Sequence, residues 1–394
     1  MMPNRLFTNA KLITPTGLQF PGWLRVEESR ITGLGPGQPP TIEPGSNTQV
    51  IDCQGRYLMP GFIDLHVHGA LGHEVMDADP EGLRAMARFY AAHGVTGFLA
   101  TTWTANRDAI RKVLEALGPL TGPIPGGASL LGIHLEGPYL NPVRCGAQDK
   151  AFIRRADPTE AVEFLETGLV RLVALAPEFP ENLWLVDECL RRGVTVSAGH
   201  TDATYDQMAA AVQHGVRQVT HCYNAMSPFN HRAPGVVGAA LHFPEIRCEL
   251  IADNIHVHPA ALQLALQAKG TEGIILITDA IRGAGMPEGE YPIDDHRRMV
   301  IKDHVARLPD GTIAGSVLTL ERGLRNLAAA ANRPFPELWA ASSRNAAQAI
   351  GLGQRKGSLL TGYDADLVLL DAEGNVAMTF VAGELVFSSL NTNG

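Results

Sequence analysis

The sequence predicts an α/β fold, a (β/α)8 TIM barrel carrying a small β-sandwich domain formed from both chain termini. Three observations predict it. Between about Pro60 and Leu352, short apolar runs alternate with Ala/Leu-rich helical stretches, the pattern of βαβ units and a parallel sheet. Eight of those runs read as buried strands within roughly 290 residues, the arithmetic of a (β/α)8 barrel with loop insertions. The two chain ends have a different texture, strand-like pieces cut by Gly and Pro. The expected division is residues 1–58 with 354–394 for the small domain and 59–353 for the barrel.

Each element follows from its local pattern. The N-terminal pieces are Leu6–Ile13, Trp23–Glu27, Arg30–Leu34 and Gln49–Asp52. The eight barrel runs are Phe62–Val67, Thr96–Ala100, Leu130–Leu135, Leu172–Leu175, Thr195–Ala198, Gln218–Thr220, Arg247–Ala252 and Ile274–Thr278. Between them lie helical stretches such as Glu81–His93, Asp108–Leu117, Pro158–Gly168, Tyr205–His214 and Pro259–Lys269. The tail returns to strands at Ala365–Leu370, Val376–Val381 and Leu385–Phe387. A doubly wound sheet is the alternative, but neither a glycine-rich dinucleotide turn nor a phosphate-binding loop is present in the sequence.

Composition excludes some partners. The 394 residues carry 32 basic and 41 acidic side chains, a net charge of −9. That balance argues against nucleic acid or an anionic membrane as a partner, since both need basic surface. The 45% hydrophobic content supports a large core. The five cysteines, Cys53, Cys145, Cys189, Cys222 and Cys248, form no C-x-x-C pair and fit a reducing compartment. No apolar run is long enough for a signal peptide near Met1 or for a membrane span, so a cytoplasmic location is expected.

The 14 histidines are the unusual count, and their placement carries the chemistry. In a barrel, chemistry gathers at the C-terminal ends of the strands. There the runs deliver His66 and His68, Glu136, Glu178, His200, His221, Asp253 with His256, and Asp279. The His66-x-His68 spacing puts two imidazoles on one face of a strand. Taken singly, His200 and His221 also suit packed core histidines, and Asp279 also suits a helix N-cap. His134 alternates with Glu136 and either supports the site or packs, and Cys222 beside His221 is a further candidate ligand. Together, Glu136, His200, His221, His66 and His68 point to a catalytic divalent-metal centre, with Zn²⁺ first and Fe²⁺, Mn²⁺ or Co²⁺ as alternatives. Asp279 then fits a proton shuttle in metal-assisted hydrolysis of a C–N or C–O bond. That chemistry serves amides, lactones, phosphoesters and deaminations alike.

Met59-Pro-Gly-Phe-Ile-Asp-Leu-His66-Val-His68-Gly resembles the opening signature of the amidohydrolase superfamily, and Gly362-Tyr-Asp-Ala-Asp-Leu-Val resembles its closing strands. More narrowly, the chain is similar to the N-acetylglucosamine-6-phosphate deacetylase family. The carrying pieces include Gly132-Ile-His-Leu-Glu136-Gly-Pro, Ser197-Ala-Gly-His200-Thr, Thr220-His221-Cys-Tyr-Asn224-Ala225-Met226 and Thr278-Asp279-Ala280. The resemblance implies that Glu136, His200 and His221 bind a principal metal, and that His66 and His68 hold a second one bridged by Glu136. One or two ions are then expected, two being favoured. It implies Asp279 as general base and then acid. It implies sugar contacts from Ala147, Gln148, Asn224, Ala225, Ile313, Ala314 and Gly315. It also implies a homodimer in which Arg232 and His256 reach the neighbouring active site and bind the 6-phosphate. The alternative sugar is N-acetylgalactosamine 6-phosphate, and the alternative substrate class is another cyclic amide or acylated amino acid. Twelve residues after Glu136 the family usually carries a His that contacts sugar and acyl oxygen, where this chain has Gln148. A Gln can donate an N–H to the same oxygen but cannot become a cation.

Overall fold

The computed structural model describes residues 3–43, 45–294 and 296–390. Eight parallel strands follow one another around a barrel: Phe62–Val67, Val95–Thr102, Ser129–Glu136, Val170–Leu175, Thr195–Ala198, Gln218–Val219, Arg247–Ile251 and Ile274–Ile277. Each pairs in parallel with the next. Closure comes just beyond the eighth strand, where Asp279 N donates to His66 O at 2.9 Å and His68 N donates to Ala280 O at 2.7 Å. The two candidate histidines and the candidate base are therefore fixed by the seam of the barrel itself. All eight strands are the ones the sequence predicts.

A helix follows every strand: Pro80–Ala92, Arg107–Leu117, Pro158–Glu166, Pro180–Arg191, Tyr205–His214, Gly235–His242, Pro259–Lys269 and Leu320–Ala331. Their starts are chemically marked. Asp79, Asn106 and Asp157 accept hydrogen bonds from first-turn N–H groups, and Thr204 with Gln207 closes a reciprocal cap. Alternation along the strands sorts the core. Ile274 and Leu276 join the cluster shared with the surrounding helices, whereas Ile275 and Ile277 join Leu99, Leu172 and Ile251 in a separate one. Each large apolar side chain so buried contributes about 1.5–3 kcal/mol.

The chain ends meet in one eight-stranded sheet. Its order is Glu384–Ser388, Val376–Val381, Leu367–Leu370, Tyr57–Pro60, Asn4–Thr14, Gly17–Glu27 and Arg30–Pro36, with Thr48–Asp52 also paired to Asn4–Thr14. The expected sandwich is thus a single hydrogen-bonded sheet whose two wings share a core. Leu24 and Ile31 from one wing pack with Leu367 and Phe380 from the other, and the Phe7 and Phe380 rings meet edge to face at 5.0 Å.

One element went unforeseen. Between the eighth strand and its helix lies a four-stranded antiparallel sheet, Gly289–Pro292, Arg298–Lys302, Val305–Arg307 and Ile313–Ser316. Met299, Ile301, Ala306 and Ala314 bind it to Trp103 and Ala147 over the barrel mouth. Among the described residues, no helix is long and apolar enough to cross a membrane. The five cysteines are free.

Candidate metal centre and active site

Glu136 stands at the end of the third strand, 2% exposed, with each carboxylate oxygen facing a different pair of imidazoles. Oε1 lies 3.0 Å from Nε2 of both His200 and His221. Oε2 lies 3.2 Å from Nε2 of His68 and 3.5 Å from Nε2 of His66. Asp279 Oδ1 lies beside the second pair, 3.4 Å from His66 Nε2 and 3.3 Å from His68 Nε2. Two candidate metal groups result, His66–His68–Glu136 and Glu136–His200–His221. Cys222 belongs to neither; it is buried in the core behind the site.

The donor set fits a divalent cation on hydrogen-bond grounds. His68 Nδ1 faces the Thr101 carbonyl at 3.1 Å, and His200 Nδ1 faces the Arg144 carbonyl at 2.8 Å. A carbonyl only accepts, so each Nδ1 carries the hydrogen, and each ring offers a lone pair at Nε2 once that nitrogen has lost its proton. Those lone pairs point at carboxylate oxygens. His200 and His221 also bring their Nε2 atoms within 3.1 Å of each other. Imidazole Nε2 atoms and carboxylate oxygens converging in a buried space suit a divalent cation between them, and outer partners on Nδ1, as at His68 and His200, are the usual way to orient such ligands.

The backbone is bent to achieve this. His200, His221 and Asp279 all have positive φ, at 46°, 33° and 53°. This region is costly for residues with a Cβ, and it is concentrated here at the three strand ends that turn side chains into the mouth. Gly146 and Gly315, both at φ 56°, also line the cavity. A Cβ on Gly315 would meet the Asp279 carbonyl oxygen at 2.9 Å.

The electrostatics follow from burial. Burial works against the charge on Asp279, but the His66 and His68 imidazoles outweigh it and hold the carboxyl below its ordinary range. Burial and the neighbouring His66 keep His134 neutral, its ring 4.7 Å from the His66 ring. Burial raises Asp64 to about 7, while Thr278 Oγ1 and the His66 and Thr278 N–H groups donate to it. Glu249, fully buried, faces His66 Nδ1 at 3.4 Å and accepts from Gln218 at 2.5 Å.

A cavity of about 280 Å³ opens over this centre. Of the predicted contacts, Ala147, Gln148, Asn224, Ala225, His256, Ile313 and Gly315 line it beside His68, Glu136, His200, His221 and Asp279. Ala314 does not. Alternation along its strand sends Ile313 and Gly315 to the cavity and Ala314 into the core beneath the hairpin sheet. His256 lines the cavity of its own chain. Asp253 Oδ2 holds its Nδ1 at 2.6 Å and Asp253 Oδ1 accepts its N–H at 2.8 Å, which pins the ring to the seventh strand's end. Arg232 lies elsewhere, exposed in a groove with Asp202, Tyr205 and Asn230.

Trp103 was missed. Its ring stacks on His68 with centroids 4.3 Å apart, and its Nε1 donates to the buried Glu74 at 2.9 Å. A large aromatic one residue past Thr102 at a strand end was the available signal.

Residues 57–386 match the model of the amidohydrolase family. The chain is 41% identical over 337 residues to an N-acetylglucosamine-6-phosphate deacetylase of Lysinibacillus sphaericus, covering 85% of this chain and 87% of that one. It is 35% identical over 366 residues to an N-acetylgalactosamine-6-phosphate deacetylase of Escherichia coli O157:H7, covering 92% and 96%. A solved structure from Mycobacterium smegmatis superposes with a TM-score of 0.90 at 33% identity, covering 98% of this chain and 100% of that one. It is a mutant N-acetyl-D-glucosamine-6-phosphate deacetylase in complex with N-acetyl-D-glucosamine-6-phosphate.

Proposed function

The chain belongs to the amidohydrolase family, and from that premise we propose that it hydrolyses the acetamide of N-acetyl-D-glucosamine 6-phosphate to D-glucosamine 6-phosphate and acetate. The observation that carries the chemistry is Glu136, each oxygen facing its own pair of imidazoles beside Asp279. Glu136, His200 and His221 would hold a principal divalent cation, Zn²⁺ by donor type, and His66 and His68 with the other Glu136 oxygen a second. When bound, such cations polarise the acetyl carbonyl and acidify a bound water.

This chain's own groups supply the rest. Asp279, held ionised, takes a proton from the water that adds to the acetyl carbon. It returns that proton to the nitrogen as the C–N bond breaks, so the amine leaves neutral and the other product is acetic acid, which releases its own proton to solvent as acetate. Asn224, Ala225, Ile313 and Gly315 border the sugar, with Ala147 on the other side. His256 faces the 6-phosphate from within the chain. Arg232, outside this cavity, would reach the phosphate of a neighbour in a homodimer, where a planar guanidinium suits phosphate oxygens. A cytoplasmic location and the division into residues 59–353 and the joined termini belong to the same reading.

Acetate release from the gluco and galacto 6-phosphosugars, with and without added Zn²⁺, tests it. Higher kcat/KM on the gluco epimer, lost on chelation and restored by Zn²⁺, is expected. Preference for the galacto epimer assigns the sugar of the E. coli relative. Preference for an unphosphorylated amide overturns the substrate.

A further inference from the structure

The side chain of Gln148 is spent at both ends. Its Oε1 accepts the Thr104 N–H at 2.7 Å, and its Nε2 donates to Glu136 Oε2 at 2.7 Å. The orientation of the amide is fixed by chemistry. A backbone N–H only donates, so the atom facing Thr104 is the oxygen and the atom facing Glu136 is the nitrogen. The side chain is 4% exposed, and its loop is tied down. Gln148 N donates to Cys145 O at 2.9 Å, and Arg297 reaches down from the hairpin sheet to the Ala147 carbonyl at 2.7 Å.

The oxygen that Gln148 holds is the one turned to His66 and His68. Glu136 Oε1, turned to His200 and His221, receives no hydrogen bond from Gln148. A carboxylate oxygen has two lone pairs. With one occupied by the Gln148 N–H, the carboxylate cannot rotate freely, and the other pair stays aimed between the two imidazoles. We propose that Gln148 is a positioning residue for Glu136, setting cation affinity at the His66–His68 position and leaving the His200–His221 position nearly untouched. Its main task is then to orient a ligand oxygen rather than to touch the acyl group. This rests on the cation centre proposed above.

Outer hydrogen-bond partners of metal ligands are worth about 10–100-fold in metal affinity. The test is Zn²⁺ retained per chain by the Zn²⁺-loaded enzyme after dialysis against graded chelator, with KM for the phosphosugar measured in parallel. Gln148→Met keeps the volume and removes the donor. It should lose one of two Zn²⁺ equivalents at a chelator concentration about 10–100-fold lower than wild type, and keep the other. Excess Zn²⁺ should restore both the lost equivalent and the rate, with KM unchanged. Gln148→Asn, a carboxamide too short to span Thr104 and Glu136, should behave likewise and covers a failure of the first variant to fold. Wild-type Zn²⁺ retention with a raised KM would overturn the proposal and make Gln148 a substrate contact. Equal weakening of both equivalents would overturn its site selectivity. A wild-type protein that retains no Zn²⁺ would instead overturn the cation centre itself.

Discussion

Two clusters of buried charge in this molecule look alike in composition and differ in balance. Where the chain ends meet, Asp364 and Asp366 are 6% and 7% exposed, yet each has a cation of the chain's own. Lys356 Nζ lies 2.5 Å from Asp366 and 2.9 Å from Asp364, and Arg30 and Arg355 reach Asp364 at 2.5 and 2.8 Å. At the barrel mouth, Glu136 and Asp279 are equally buried, but their partners in the described structure are imidazoles with Nε2 turned inward. Buried carboxylates are kept ionised only by compensating charge. The first cluster carries that charge in its sequence and is structural. The second borrows it from imidazoles that would give up their protons when a cation binds, as the proposed function requires.

Breaking each cluster should therefore give opposite readouts, and the largest effect falls at the mouth. Glu136→Ala removes both shared oxygens. Metal analysis should find both cation equivalents lost and acetate release abolished, while the chelated variant unfolds at no lower urea concentration than chelated wild type. Lys356→Met should do the reverse. Removing one partner of a buried pair costs about 3 kcal/mol, read as a lower urea midpoint, with cation content and kcat/KM of the folded enzyme unchanged.

Acid sharpens the same contrast. Burial alone would push Asp364 up, but Lys356 and Arg355 hold it below its ordinary range. Its folded value thus lies under its unfolded value near about 3.9. The unfolded chain binds more protons between the two values, so this contribution is complete above the unfolded value and is lost as pH falls through the folded one. Thermal melts should show a decline starting below about pH 4. Lys356→Met should make that decline shallower. The smallest effect expected is Trp103→Phe. It keeps a ring on His68 but strips one donor from buried Glu74, whose charge burial opposes and Arg282 supports. Chemical denaturation should register about 1 kcal/mol.

The two regions were also unequally legible in the sequence. Barrel strands are short apolar runs ending in His, Glu or Asp, so both the strands and the mouth could be read from spacing. The hairpin sheet was not legible. Arg298–Lys302 buries only Met299 and Ile301, and its three consecutive apolar residues, Met299 to Ile301, are too short a run without alternation to mark a strand. That Ala314 faces the core while Ile313 and Gly315 face the cavity also depends on that strand. The Gln148–Glu136 contact depends on how the 137–148 loop doubles back, which no local pattern encodes. The ion cluster at the chain ends joins Arg30 to Asp364 across 334 positions. Nothing in either segment announces its partner.

The proposed function stands on a buried centre at the mouth that is completed by cations and worked by Asp279. The most direct measurement pairs metal content with acetate release from N-acetylglucosamine 6-phosphate in Asp279→Asn. Wild-type cation content with kcat reduced by about 10²–10⁴ is expected. Wild-type turnover with the cations still bound would contradict it.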